Sequence, residues 1–248
     1  MTRPLALITG AGRTVGIAAS IARTLATDGW DLALSHWTPA DQEIFGDTAA
    51  EGLEELVAEL RELGGRVEAI PADLEQPDAA TALFAAVQPL GTPTALVMSH
   101  AWDIESDILT TTVEQFDKHF AINARASWML VREFAQLGGP GAIVALTSDH
   151  TTGNLPYGAS KAALDRIVIS AAKEFGRLGI SANVVNPGPI DTGWMDAATR
   201  ELLTGMQPSG RLGTGADTAN LVAFLVSERG RWVTGQLIKS DGGFAIPG

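Results

Sequence analysis

The chain has 248 residues, 46% of them apolar, and a formal net charge of −12 at neutral pH. That balance argues against nucleic-acid and anionic-membrane partners, which recruit clustered Lys and Arg. Cysteine is absent, so disulfides and thiolate nucleophiles are excluded and the cytoplasm is the expected compartment.

In chain order, the opening segment ends its apolar run in glycines instead of a small-residue cleavage site, so Pro4–Thr9 reads as a first strand. A glycine-rich turn leads into a helix over Ile17–Asp28, then a strand over Asp31–Ser35. Thr38–Asp47 has no clear element; a helix follows over Ala50–Leu63 and a strand over Arg66–Ile70. Helix Ala79–Gln88, strand Thr94–Met98, helix Val113–Leu137 and strand Gly141–Thr147 continue the alternation. Helix Ala159–Leu178 and strand Ile180–Val185 come next. Asp191–Gly215 is a second long stretch without a clear element, the kind of loop that often serves as a lid. Helix Ala216–Ser227 and strand Gln236–Lys239 close the pattern. No run approaches the roughly 20 uninterrupted apolar residues of a membrane span, so a soluble protein is expected.

Alternating strands and helices call for a parallel sheet, because each right-handed crossover returns through a helix. Ala142–Leu146 is apolar throughout, which fits burial of both sheet faces. The expected architecture is α/β: a single-domain doubly wound parallel sheet of about seven strands with helices on both faces, its ligands at the carboxyl ends of the strands. The four histidines, His36, His100, His119 and His150, are too scattered to form a metal site, and none is expected.

The first turn reads Thr9-Gly10-Ala11-Gly12-Arg13-Thr14-Val15-Gly16. Glycines there let the backbone approach a pyrophosphate, and the following helix offers free N–H groups and a positive dipole end. In dinucleotide folds an acidic residue at the end of strand two binds the adenosine ribose of NAD. Here that stretch is Ser35-His36-Trp37, with no acid, while Arg13 can attract a 2′-phosphate. NADP(H) is therefore favoured over NAD(H), and His36 is either a second phosphate contact or a surface-loop histidine.

Ser148 follows the fifth strand, and Tyr157-Gly158-Ala159-Ser160-Lys161 comes next at a helix start; Tyr157 is the only tyrosine in the chain. One helical turn separates Tyr157 from Lys161, so their side chains share a face. An ammonium beside the phenol is expected to lower its pKa from about 10 and let it exchange a proton with a substrate oxygen. Ser148 would hold that oxygen, and Lys161 the nicotinamide ribose hydroxyls.

This ordered series resembles the short-chain dehydrogenase/reductase family, whose fold is Rossmann-like. Matching pieces run from the Thr9–Gly16 turn through Asp73-Leu74, Asn123, Ser148 and Tyr157–Lys161 to Asn186–Thr192 and Ser240–Gly243. The resemblance implies that Asp73 and Leu74 contact adenine, that Asn123 orders a water linked to Lys161, and that Ile190 and Thr192 meet the nicotinamide amide. It places Ser99, Pro187 and Gly188 in the cofactor site. It also implies a homotetramer or dimer built on the long fourth and fifth helices and the C-terminal segment.

The chain departs from the family pattern at several points. Thr14 stands where the second glycine is usual, and Ser99-His100-Ala101-Trp102 replaces Asn-Asn-Ala-Gly. His100 and Trp102 either face the substrate cleft or pack in place of the missing asparagine turn. The Ser148–Tyr157 interval is short, which implies a trimmed substrate wall, with His150 as a polar contact or a solvated loop residue. Gly193–Arg211, with Trp194, Met195, Leu202, Leu203 and Met206, reads as an amphipathic lid suited to an apolar carbonyl such as a 3-oxoacyl or polyketide-like ketone. The expected activity is NADP(H)-dependent hydride transfer between nicotinamide and a carbonyl or secondary alcohol carbon. The alternatives are a catalytically silent NADP(H)-binding sensor or scaffold and an epimerase or dehydratase on the same fold.

Overall fold

The computed structural model describes residues 3–45, 49–150, 152–193 and 195–246. Its centre is a parallel sheet of β1 (Leu5–Thr9), β2 (Asp31–His36), β3 (Val67–Pro71), β4 (Ala95–Met98), β5 (Gly141–Leu146), β6 (Ile180–Asn186) and β7 (Leu237–Lys239). Among the described residues the spatial order is β3-β2-β1-β4-β5-β6-β7. Strand order therefore reverses at β1, which lies between β2 and β4.

Side-chain alternation explains the layers. Ala6, Ile8, Leu32, Leu34, Val97 and Val144 face α1 (Ile17–Thr27), α3 (Ala49–Glu62) and α9 (Gly215–Val226). The intervening residues Leu5, Leu7, Ala33, Leu96, Ile143 and Ala145 face α4 (Ala79–Val87), α6 (Ala126–Gln136) and α7 (Leu155–Phe175). Asp31, buried at the start of β2, is held by Arg66 at 2.7 Å and Arg3 at 3.5 Å, which ties β2 to the turn before β3.

Three expectations need correction. Thr38–Phe45 is a helix, α2, entered through the His36–Thr38 side-chain contact and Pro39, whose fixed φ suits a first turn. The long helix expected over Val113–Leu137 is α5 (Val113–His119), a π-helical segment over Phe120–Arg125, and α6. Such wide turns commonly mark functional sites. The stretch Asp191–Gly215 contains α8 (Ala197–Met206), capped by Asp196, whose carboxylate accepts from the Thr199 amide at 2.7 Å. Trp194 and Thr151 lie outside the described residues. No helix among the described residues is long and apolar enough to cross a membrane.

Candidate active site

Four segments meet at the carboxyl ends of the central strands: Gly10–Gly16 after β1, Ser99–Trp102 after β4, Ser148 after β5 and Pro187–Thr192 after β6. The first is a cradle that a side chain would fill. Gly10 has φ 74°, and a Cβ there would lie 2.7 Å from the His100 Cα. Gly16 precedes α1 without any side-chain cap, so the first amides of that helix are available to an anion. The residues fit a dinucleotide pyrophosphate.

Thr14 does not obstruct the turn. Its carbonyl accepts from Arg23 at 2.9 Å, and its amide lies against Gly52 of α3, where a Cβ would come within 3.3 Å. Val15 is exposed at the rim. Arg13 donates to the Thr192 carbonyl at 3.3 Å, linking the glycine turn to the segment after β6. An acid does stand at the end of β2 in space, although not in sequence. Asp41, from α2, lies against Gly12, close enough that a Cβ on that glycine would collide with its carboxylate, and it interacts electrostatically with Arg13. Burial raises the Asp41 carboxyl above its ordinary range while Arg13 pulls it down. Ser35 is buried and its carbonyl accepts from the Ala11 amide at 2.9 Å; His36 is half-buried with Nδ1 3.2 Å from Thr38 Oγ1.

After β3, the Asp73 carboxylate accepts from the Glu75 amide and the Gln76 side chain, both at 3.0 Å, and Leu74 packs into the core. After β6, the Gly188 amide donates to the Asn186 side chain at 2.9 Å beside Pro187, and Ile190 is buried in a bridge to Gly213.

The replaced turn after β4 is a packed structure. His100 is enclosed, with Nε2 3.1 Å from the Ile122 carbonyl and Nδ1 2.6 Å from Thr9 Oγ1. A carbonyl cannot donate, so the ring proton sits on Nε2 and Nδ1 accepts from Thr9. Burial, then the Lys161 charge, drives this imidazole from 6.5 down to about 3. The Ser99 amide donates to the same Thr9 hydroxyl at 3.3 Å. Trp102 is 3% exposed, with Lys118 Nζ 3.6 Å over its ring. Asn123, in the π-helical segment, accepts from the Trp102 amide at 2.8 Å and donates to its carbonyl and to Ser160 Oγ, both at 2.9 Å. His100 and Trp102 thus take the packing alternative.

Ser148, Tyr157 and Lys161 come together at the end of β5. α7 begins at Leu155, so Tyr157 lies in its first turn. Lys161 is buried, donating to the Leu146 carbonyl at 3.0 Å with the His100 carbonyl at 3.5 Å. Burial lowers the Lys161 ammonium to about 8, against the pull of Asp165 and Asp103.

The phenol behaves opposite to expectation. Tyr157 is pushed well above its ordinary range, first by burial and then by the Asp103 charge, with nearby Ser148 pulling it back and Asp149 adding a smaller push. Lys161 Nζ is 5.7 Å from the ring centroid and does not offset the burial and the carboxylates. The phenol therefore keeps its proton. Asp103 is placed by Asn154, whose Nδ2 donates to it at 2.7 Å from a left-handed backbone at φ 37°.

His150 is both solvent-exposed and engaged. Its Nδ1 is 2.8 Å from Ser148 Oγ, its amide donates to that oxygen at 3.2 Å, and its ring stands edge-on to Tyr157 at 5.7 Å. Asp41 and Asp103 escaped sequence reasoning because their partners are distant in the chain, whereas Asp165 lies one helical turn from Lys161 on α7. An acid shortly after each of the second and fourth strands was the available signal. Within Asp191–Gly215, Asp191 pairs with Arg200 at 2.6 Å, Met195 is buried, and Leu202 and Met206 are exposed on α8.

A family profile described as enoyl-(acyl carrier protein) reductase matches residues 10–245. The chain is 36% identical to an uncharacterized oxidoreductase, YjdA, of Bacillus subtilis (strain 168), covering 97% of this chain and 96% of that protein. It is 32% identical to a chloroplastic NADPH-dependent aldehyde reductase-like protein of Arabidopsis thaliana, covering 97% and 93%. The crystal structure of angucycline C-6 ketoreductase LanV with bound NADP superposes with a TM-score of 0.88 at 28% identity, covering 98% of this chain and 96% of that one.

Proposed function

Since the chain belongs to the short-chain dehydrogenase/reductase family, we propose that its Ser148, Tyr157 and Lys161 carry out NADP(H)-dependent reduction of a carbonyl carbon or the reverse oxidation of a secondary alcohol. The observation that carries this is the convergence of Ser148, Tyr157 and the buried Lys161 at the end of β5, with Lys161 Nζ held by the Leu146 carbonyl at 3.0 Å and 5.7 Å from the Tyr157 ring centroid. NADP(H), when bound, supplies or accepts the hydride.

The chain's own residues do the rest. Gly10–Gly16 and the α1 N-terminus hold the pyrophosphate, Arg13 the 2′-phosphate, Asp73 and Leu74 the adenine, and Ile190 and Thr192 the carboxamide. Ser35, His36, Ser99, Pro187 and Gly188 complete the walls, and Lys161 reaches the nicotinamide ribose. Ser148 orients the substrate oxygen, and Tyr157 delivers its proton there as the carbonyl becomes an alcohol. Asn123 pins the segment after β4, so that the His100 carbonyl stays in place against Lys161.

The chain is one dinucleotide-binding and catalytic domain acting on a small molecule in the cytoplasm as a homo-oligomer. Its substrate is a ketone on an apolar chain or ring. The exposed Leu202 and Met206 of α8, and the angucycline ketoreductase named for the LanV relative, favour that class. The test is NADPH oxidation by the purified protein across a panel of acyl and aromatic ketones. Tyr157→Phe is expected to cut turnover by about a hundredfold or more while NADPH still binds. Unchanged turnover in that variant overturns the assignment.

A further inference from the structure

Asp41 occupies the first turn of α2, where its amide donates to the Trp37 carbonyl at 3.2 Å and a carboxylate suits the positive end of the helix. That local role needs no contact with the turn after β1. The side chain nevertheless reaches across to Gly12, along the direction that a side chain on that glycine would take. A Cβ on Gly12 would lie 3.0 Å from the Asp41 Cγ, closer still to its Oδ2, and 3.6 Å from the His36 Cβ. The φ of Gly12 lies outside the left-handed region that favours glycine. What its missing Cβ provides is room for the carboxylate.

Arg13, next in the turn, is the cation proposed for the 2′-phosphate, and it interacts electrostatically with Asp41. Burial drives both groups toward their neutral forms while each helps to hold the other charged. An anion therefore already stands beside the guanidinium that a phosphate must reach. The carboxylate repels a phosphate, whereas a ribose 2′-hydroxyl can donate to it. One acid thus opposes one dinucleotide and suits the other.

We propose that Asp41 is a specificity-determining residue: its carboxylate, admitted by Gly12, weakens the preference for NADPH set by Arg13 and keeps NADH in use as a second hydride donor. This rests on Gly10–Gly16 and Arg13 holding the dinucleotide as proposed above. NADPH has to turn the carboxylate away from Arg13, and NADH does not. The carboxylate is the part able to give, because it is the far end of a side chain while Gly12 meets it with backbone alone.

Dissociation constants for NADPH and NADH, read from nicotinamide fluorescence on the purified protein, test this without turnover. Asp41→Asn keeps the shape of the side chain and removes its charge. It is expected to tighten NADPH by about tenfold and to leave NADH unchanged or weaker. Gly12→Ala keeps the acid but evicts it from the turn, and is expected to move the ratio of the two constants in the same direction. General damage to the cradle affects both dinucleotides and cancels in that ratio.

The double variant is expected to show no further change in the ratio, because the first substitution has already removed the charge that the second displaces. An unchanged or reduced preference for NADPH in Asp41→Asn overturns the proposal. So does a double variant whose ratio changes by the product of the two single effects. Failure of the carbonyl chemistry shows separately, as turnover that survives Tyr157→Phe, and leaves both dissociation constants untouched.

Discussion

A phenol enclosed by protein and flanked by Asp103 and Asp149 gives up its proton reluctantly, so Tyr157 enters the reaction as an acid. The like-charged carboxylates disfavour the phenolate, and removing one relieves that opposition. Asp103→Asn is therefore expected to move the basic limb of alcohol oxidation to lower pH, read from kcat/KM against pH. His100 makes a matching prediction about stability. Its folded value near 3 lies below the ordinary 6.5, so between those values the unfolded chain binds a proton that the folded chain does not. Its contribution is present above pH 6.5 and is lost as pH falls toward 3, by about 1.4 kcal/mol for each pH unit. Urea midpoints that do not decline over that window would contradict this. The residue types of the site were legible because Ser148, Tyr157 and Lys161 are set by one strand end and one helical turn. The sign of the Tyr157 shift was not, because it comes first from burial by the whole fold and then from Asp103 on a separate loop, held there by Asn154.

Among the elements, α1 and α9 show how a distant helix fixes the phosphate cradle. Gly215 opens α9 directly against Ser20 of α1, whose hydroxyl donates to the Gly16 carbonyl at 3.1 Å. A methyl group there would strike Ser20 and come within 3.3 Å of the Gly16 carbonyl. Gly215→Ala is expected to cost about 1 to 3 kcal/mol by overpacking and to weaken NADPH binding with it. Thermal unfolding and cofactor titration on one preparation measure both. The strands were readable almost to the residue, since buried apolar runs bounded by Gly, Pro and charge leave little choice. α2 was missed because Thr38 and Pro39 read as a turn opening and its tertiary contacts, not its composition, hold it. The π-helical segment was also invisible, since its cause is the Asn123 side chain gripping the Trp102 backbone across the fold.

At the scale of the whole molecule, large apolar side chains are left outside the two core layers. Trp128 on α6 is 48% exposed and Trp232, before β7, is 97% exposed. Exposed aromatics of this size suit contacts between copies of the chain. Trp128→Glu is expected to lower the oligomeric state in sedimentation velocity while leaving the helical content unchanged; an unchanged sedimentation coefficient would place the contact elsewhere. The sheet order carries a consequence for synthesis. β1 finds its partner β2 soon after emerging, but its other edge waits for β4, which is not complete until Met98. At about 5 to 20 residues per second, the nascent chain presents that unpaired central edge for roughly 5 to 20 seconds. From β4 onward each new strand docks beside the last one made, so the vulnerable interval of translation falls in the first half of the chain.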